Sequence, residues 1–281
     1  MTDKDIVVTK NPNDFLAIGI GQIGKDAIGC MINEKLDHVD YLTFDNAETD
    51  KMVVSELVDQ KLNYGKILFI VTGFDDCIDG DFVGLVTASS KEVCFLTFLI
   101  VLIPEFSLNE KNRNQTISEM NRLKTSVDLT IPISIKSQAE VKDAIYRSMW
   151  TLKTISYLAL GINFISTDFA DIHSATRNKG FGFIAKGEAS GLNRSTDAYL
   201  NCLNSQKNLS TNLLNAEHIL LFIDSGPSDL QADEISEIVN LVEEATNKNS
   251  NILWGCINYN LGDKVRVTLM GTGFTDISTL I

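Results

Sequence analysis

Short apolar runs separated by polar stretches of helical spacing organise this chain from about residue 15 to residue 274. Runs at 15–20, 39–44, 66–72, 93–103 and 127–131 read as strands, and stretches near 24–35, 48–62, 82–90 and 111–124 read as helices between them. That alternation predicts a parallel sheet with helices on its faces. The most apolar run, "VCFLTFLIVLI" from Val93 to Ile103, is bounded by Lys91-Glu92 and Pro104-Glu105. It reads as a buried central strand and is far too short to span a bilayer.

The clearest helix is expected at 138–160. Ser137 and Glu140 form an S-x-x-E capping box, and Val141, Ile145, Met149, Leu152, Ile155 and Ala159 follow at steps of three and four. Gly161 stands where a helix end favours a left-handed residue. At about 1.5 Å per residue such a helix runs roughly 35 Å. Trp150, on this helix, reads as core between two halves. Beyond it, strands are expected at 180–191, 218–226, 251–260 and 264–274, with helices near 194–205 and 229–247. The predicted organisation is an N-terminal tail (1–13), a Rossmann-like α/β domain (14–137), the central helix (138–160) and a second α/β domain (161–281) with a four-stranded sheet.

Composition narrows the function classes. The chain has 281 residues, 44% hydrophobic and 22% charged, as in ordinary globular proteins. Its 24 basic and 37 acidic residues leave a net charge of -13. That balance opposes a dedicated nucleic-acid binder or docking on anionic lipid. The five cysteines are odd in number and show no CxxC spacing, which argues against a disulfide framework or a zinc site and favours a reducing compartment. The first residues have no apolar secretory core. His38, His173 and His218 show no partner pattern.

Gly19-Ile20-Gly21-Gln22-Ile23-Gly24 fits G-x-G-x-x-G between a strand and a helix, with Asp45 ending the next strand. Taken alone, this is a dinucleotide fingerprint, Asp45 being placed for a ribose hydroxyl. A glycine turn and a helix N-terminus suit any phosphate. The same glycines also serve a tight strand–helix turn with no ligand. Lys25 is a point charge for a phosphate, or a solvated surface residue.

Five segments in order carry a wider resemblance: "AIGIGQIGKDAIGCMI", "IPEFSLNEKNRN", "STDFADI", "GFGFIAKGEASGLNRSTDA" and "LGDKVRVTLMGTGF". They resemble the FtsZ/tubulin superfamily in its FtsZ form, over nearly all of Phe15 to Phe274. The resemblance implies a GTPase-type first domain with Gly19, Gly21, Gln22, Gly24 and Lys25 at its first phosphate loop. It also implies that Arg113 contacts nucleotide and that Asp143 stands in the place of the guanine-binding Asp. In FtsZ-type filaments the carboxylates matching Asp168 and Asp171 enter the neighbouring subunit's nucleotide pocket, where they orient the attacking water. Asp168 capping a helix that begins at Phe169, with Asp171 in its first turn, is the structural reading of the same residues.

Departures from the family are as informative. The family's glycine-rich signature loop is replaced by Phe74-Asp75-Asp76-Cys77-Ile78-Asp79-Gly80-Asp81. At an effective dielectric near 20, a unit charge about 6 Å away repels by roughly 3 kcal/mol. Two or three Asp facing a triphosphate would remove most of the ~8 kcal/mol of a micromolar complex. Pointing to solvent, the same side chains make an ordinary turn. In the base pocket Lys142 replaces the usual Asn and Gln138 the stacking Phe, and Ser166 replaces an Asn near Asp168. Only one helix fits between Asn46 and Gly73, where the family carries a longer segment.

The sequence therefore predicts a divergent FtsZ-like cytoskeletal protein with impaired or absent GTP binding and weak or absent GTPase activity. It would act by assembly with itself or an FtsZ-type filament, as cap, modulator or scaffold. The alternative is an active polymerising GTPase, its hydrolysis completed in trans by the neighbour's Asp168 and Asp171. A third reading, an NAD binder using Gly19 to Gly24 and Asp45, leaves the second half unexplained. The expected cofactor is none or weakly bound GTP, with Mg²⁺ only if nucleotide binds, and no resident metal. The expected partners are a second copy or an FtsZ-type subunit, without nucleic acid or direct membrane binding, in the cytoplasm. The chain stops about seven residues after its last strand, so the family's adaptor-binding tail is not expected.

Overall fold

Phe15–Ile20, six residues buried without exception, form β1, the seed of a sheet covered on both faces. The computed structural model describes residues 14–36, 38–44, 66–73, 80–90, 94–159, 169–206, 209–226, 230–258 and 261–280. The first-half strands are β1, β2 (Val39–Phe44), β3 (Ile67–Gly73), β4 (Leu96–Pro104) and β5 (Leu129–Ile135). The second half supplies β6 (Gly180–Ala189), β7 (His218–Ser225), β8 (Asn251–Asn258) and β9 (Val265–Phe274). The helices are α1 (Gly21–Asn33), α2 (Gly80–Ser90), α3 (Glu110–Leu123), α4 (Val141–Ala159), α5 (Phe169–Thr176), α6 (Arg194–Asn204), α7 (Leu209–Asn215) and α8 (Ala232–Ala245).

All nine strands join one sheet in the order β2-β1-β3-β4-β5-β6-β9-β7-β8. β1 to β5 are parallel, and the antiparallel β9 sits between β6 and β7. The four strands expected in the second half are present as β6-β9-β7-β8. They continue the first-half sheet through two residue pairs only, Leu129↔Gly180 and Thr130↔Phe181.

Alternation along the buried strands sends side chains to two cores. Phe15, Phe69 and Phe98 meet Met31 of α1 and Met149 of α4, with the Phe69 and Phe98 rings stacked at 5.1 Å. On the other face Leu16, Ile70 and Val101 meet Phe82 of α2 and Met120 of α3, while Ala198 of α6 and Ile238 of α8 cover the second half. Apolar side chains on two faces of each central strand explain the near-continuous hydrophobic runs.

Several expected boundaries shift. α1 begins at Gly21 rather than residue 24, because Gly21 itself takes φ 72° and turns the strand directly into the helix. β5 runs to Ile135 rather than ending at residue 131, although Pro132 lies within it. A strand proline needs a side without a ladder partner, and β5 loses β6 as a partner after Thr130. The capping box at 137–140 is not formed in its expected pattern. Residues 138–140 make a 3₁₀ turn, and the Glu140 carboxylate accepts from the Lys136 N–H (3.0 Å) and the Ser137 hydroxyl (3.4 Å). α7 was not expected as a separate helix. The helix expected at 48–62 and the Gly161 stop lie outside the described residues.

Candidate functional site

The carboxyl ends of the parallel strands are where an α/β sheet presents loops to a ligand. There the three motif glycines divide their labour. A Cβ on Gly19 would stand 2.4 Å from the Gly24 carbonyl oxygen, and one on Gly24 would stand 2.4 Å from the Val71 carbonyl oxygen. These two glycines let α1 seat against β1 and β3. Only Gly21 supplies a left-handed turn. Ile20, the residue preceding α1, offers no side-chain cap, so the first N–H groups of the helix face outward at its positive end. Exposed Gln22 donates from Nε2 to Asp26 Oδ1 at 2.8 Å, and Lys25 is half-buried beside them.

The base-pocket and ribose-side candidates stand further along the same end. Asp143 is exposed in the first turn of α4 and pairs with Arg147 Nε at 3.0 Å. Arg147 also donates from Nη2 to the Ser134 carbonyl at 3.3 Å. Arg113, exposed on α3, lines a cavity of about 410 Å³ between β5 and the second half. β1, which leads into the glycine motif, and β5, which lines that cavity, are three strand spacings apart, roughly 14 Å. The uncapped start of α1 offers backbone donors of the kind that pair with an anion. At the other candidate, the exposed Asp143 carboxylate pairs with Arg147 one turn further along α4.

Asp171 lies at the other end of the molecule. It is exposed in the first turn of α5, whose chain leads through Arg177–Lys179 into β6 at the amino-terminal end of β5. The Thr272 hydroxyl donates to the Ala175 carbonyl at 2.6 Å, anchoring α5 beside β9. The helix start expected at Phe169 is found. Asp168, Asp45 and residues 74–79 lie outside the described residues. Among the described residues no group of His, Cys, Asp and Glu is arranged to hold a metal ion.

A charged row between the halves escaped the sequence reading. Glu188, Arg266 and Asp224 stand opposite one another across β6, β9 and β7. Arg266 Nε meets Glu188 Oε1 at 2.8 Å, its Nη1 lies 3.8 Å from Asp224 Oδ2, and its guanidinium covers the Trp150 ring at 4.1 Å. Lys186 and Lys153 approach the same ring at 5.1 and 4.8 Å. Trp150 is therefore core between the halves, as expected, and carries cations on its faces. Burial pushes the Asp224 carboxyl up to about 7, against the opposing pull of Arg266. The signal was available, since Arg266 shares its strand face with Met270, and Asp224 shares one with Phe222.

Residues 180–275 match the C-terminal domain of the FtsZ family. The cell division protein FtsZ of Mycoplasmopsis pulmonis is 26% identical over 244 residues, spanning 82% of this chain and 62% of that protein. Among solved structures, an empty FtsZ dimer of M. jannaschii superposes with TM-score 0.81 at 21% identity, covering 94% of this chain and 89% of that one. CetZ2 of Haloferax volcanii, in a GTPγS-bound protofilament, gives TM-score 0.66 at 13% identity, covering 92% and 93%. The fold is that of FtsZ and its relatives. The family match covers residues 180–275, and the likeness to the solved structures is one of fold.

Proposed function

We propose that this chain is a divergent FtsZ-like cytoskeletal subunit that works by assembly, with impaired GTP binding. The observation that carries the reading is the division of the candidate residues between opposite ends of the sheet. The glycine motif and Asp143 stand at the carboxyl ends of the strands, and Asp171 stands at the amino ends. No bend of one chain unites them, so a complete site requires a second copy stacked end to end, or an FtsZ-type partner. The relatives support the same mode: one solved neighbour is described as a dimer and another as a protofilament.

The support for impaired nucleotide binding is the segment Phe74 to Asp81, whose four carboxylates stand where the resemblance expects a glycine-rich loop, and the pairing of Asp143 with Arg147. The subunit then acts as a cap, modulator or scaffold. Electron microscopy and sedimentation with and without GTP test this. Assembly that ignores GTP, with no nucleotide in the purified protein by mass spectrometry, is expected. Micromolar GTP binding would overturn the impaired-binding reading.

The uncapped N-terminus of α1 favours a second reading, a polymerising GTPase. There the backbone N–H groups at Gly21 and Gln22 hold phosphate. The neighbour's Asp168 and Asp171 accept hydrogen bonds from the attacking water and polarise it. GTP and its Mg²⁺ supply the phosphoryl group and its charge neutralisation when bound. Turnover would rise more than linearly with protein concentration and vanish in Asp168→Ala and Asp171→Ala; a flat rate sinks this reading.

A further inference from the structure

Glu188, Arg266 and Asp224 face one another across β6, β9 and β7, so one arginine stands between two carboxylates. It serves them unequally. Arg266 Nε donates to Glu188 Oε1 at 2.8 Å, and Lys186 Nζ reaches the same oxygen at 3.3 Å. Asp224 Oδ2 lies 3.8 Å from Arg266 Nη1, beyond hydrogen-bond reach. Its Oδ1 is buried with no hydrogen-bond partner among the described residues. The other charged or titratable groups acting on Asp224 are Lys186 of β6, Lys153 of α4 and Cys256 of β8. Burial pushes the Cys256 thiol up to about 11, so it stays uncharged near neutral pH.

An ionised carboxylate held that way is a buried charge without a hydrogen bond, a costly arrangement. The geometry suits a protonated Asp224, and burial raises its carboxyl to about 7. Glu188 goes the other way: against the penalty of burial, Arg266 and Lys186 hold it below the ordinary carboxylate value. Two carboxylates flanking one cation therefore ionise in different pH ranges. The same guanidinium is a contact between the sheet and α4, since it covers the Trp150 ring at 4.1 Å. To bond an ionised Asp224 it must close the gap by about 1 Å. That movement runs along the row and slides it across the ring, while Lys186 remains to neutralise Glu188.

We propose that this row is a proton-operated switch at the joint between α4 and the second half: neutral Asp224 leaves Arg266 on Glu188, and ionised Asp224 draws the guanidinium toward itself and shifts it on Trp150. On ionisation the Asp224 O–H bond breaks, the proton passes to solvent and the charge stays on the carboxylate. No other reactant takes part. The switch is independent of the assembly reading, since it uses neither the glycine motif nor a second copy.

Indole emission tests it. The chain has two tryptophans, so the full chain carrying Trp254→Phe reports on Trp150 alone. Its emission maximum should shift in one transition centred near 7 as pH rises from about 5 to 9. Asp224→Asn, of the same shape but without a titrating proton, should abolish the transition. Glu188→Gln releases Arg266 and removes a like charge, so the midpoint should move down. Arg266→Lys keeps the charge but replaces the planar fork with a point charge, and the emission change should be lost. A change that survives there is the field of the new charge on the indole, not movement of the guanidinium. Circular dichroism verifies the fold of each variant, and if one does not fold the other two still decide. Flat emission in the Trp254→Phe chain, a transition that persists in Asp224→Asn or Arg266→Lys, or a midpoint unmoved by Glu188→Gln would overturn the proposal.

Discussion

Asp224 illustrates how much one residue's surroundings decide. It is 3% exposed, and its Oδ1 has no hydrogen-bond partner among the described residues. Desolvation outweighs Arg266, Lys153 and Lys186, while Glu188 adds repulsion, and the carboxyl rises from 3.8 to about 7. A raised folded value means that the folded chain binds the proton more tightly than the unfolded one. Stability is then greatest below about 4 and is lost as pH rises from there through 7, by at most about 4 kcal/mol. Urea unfolding should show less stability from this group at pH 8 than at pH 5.5, and Asp224→Asn should flatten that difference. Two glycines of α1 make an opposite pair of predictions. Gly24→Ala forces a methyl onto the Val71 carbonyl and should cost about 3 kcal/mol or more. Gly29→Ala meets nothing within 4 Å and should stabilise by about 0.5–1 kcal/mol. Thermal melts of the two variants distinguish them directly.

Between elements, side-chain ties set the packing that hydrophobic faces leave adjustable. Arg194 at the start of α6 grips Glu234 of α8 with two bonds, 2.7 and 2.9 Å, and donates from Nη1 to the Asp263 carbonyl at 2.9 Å. The hydrogen bond from Arg194 holds the Glu234 carboxyl below its ordinary value. That stabilisation is present above the usual carboxylate range and fades as pH falls through the lowered value. Arg194→Ala should therefore cost about 1–3 kcal/mol near neutral pH and less in acid, read by denaturant titration. Legibility at this scale followed the number of constraints. β1 and β2 match their expected spans to the residue, because each apolar run is closed by turn residues. β5 instead runs past its expected end and through Pro132, because the strand has no partner on its β6 side there, a fact of three-dimensional pairing.

For the whole molecule, the two halves meet in the two-pair strand junction, in the α4 interface and in the cavity above the junction. Trp150, 6% exposed and covered by Arg266, is the largest side chain of α4 in that interface. Trp150→Ala should cost about 3–5 kcal/mol, whereas Trp150→Phe should retain most of the packing; equilibrium unfolding compares them. The proposed assembly belongs to the same scale, because Asp143 and Asp171 stand at opposite ends of the sheet.

Periodicity and motif order were sufficient for the α/β class, the long central helix and the likeness in fold to FtsZ, since these depend on local patterns repeated many times. The glycine motif was legible as a motif, but its meaning was not. Packing distances show Gly19 and Gly24 demanded by backbone approach, leaving Gly21 alone to shape the turn. Which end of the sheet the described candidates occupy, the continuity of the nine strands, the cavity beside β5 and the buried Asp224 were decided only in three dimensions. Their causes are strand register, a missing ladder partner and desolvation, and each depends on residues far apart in the chain.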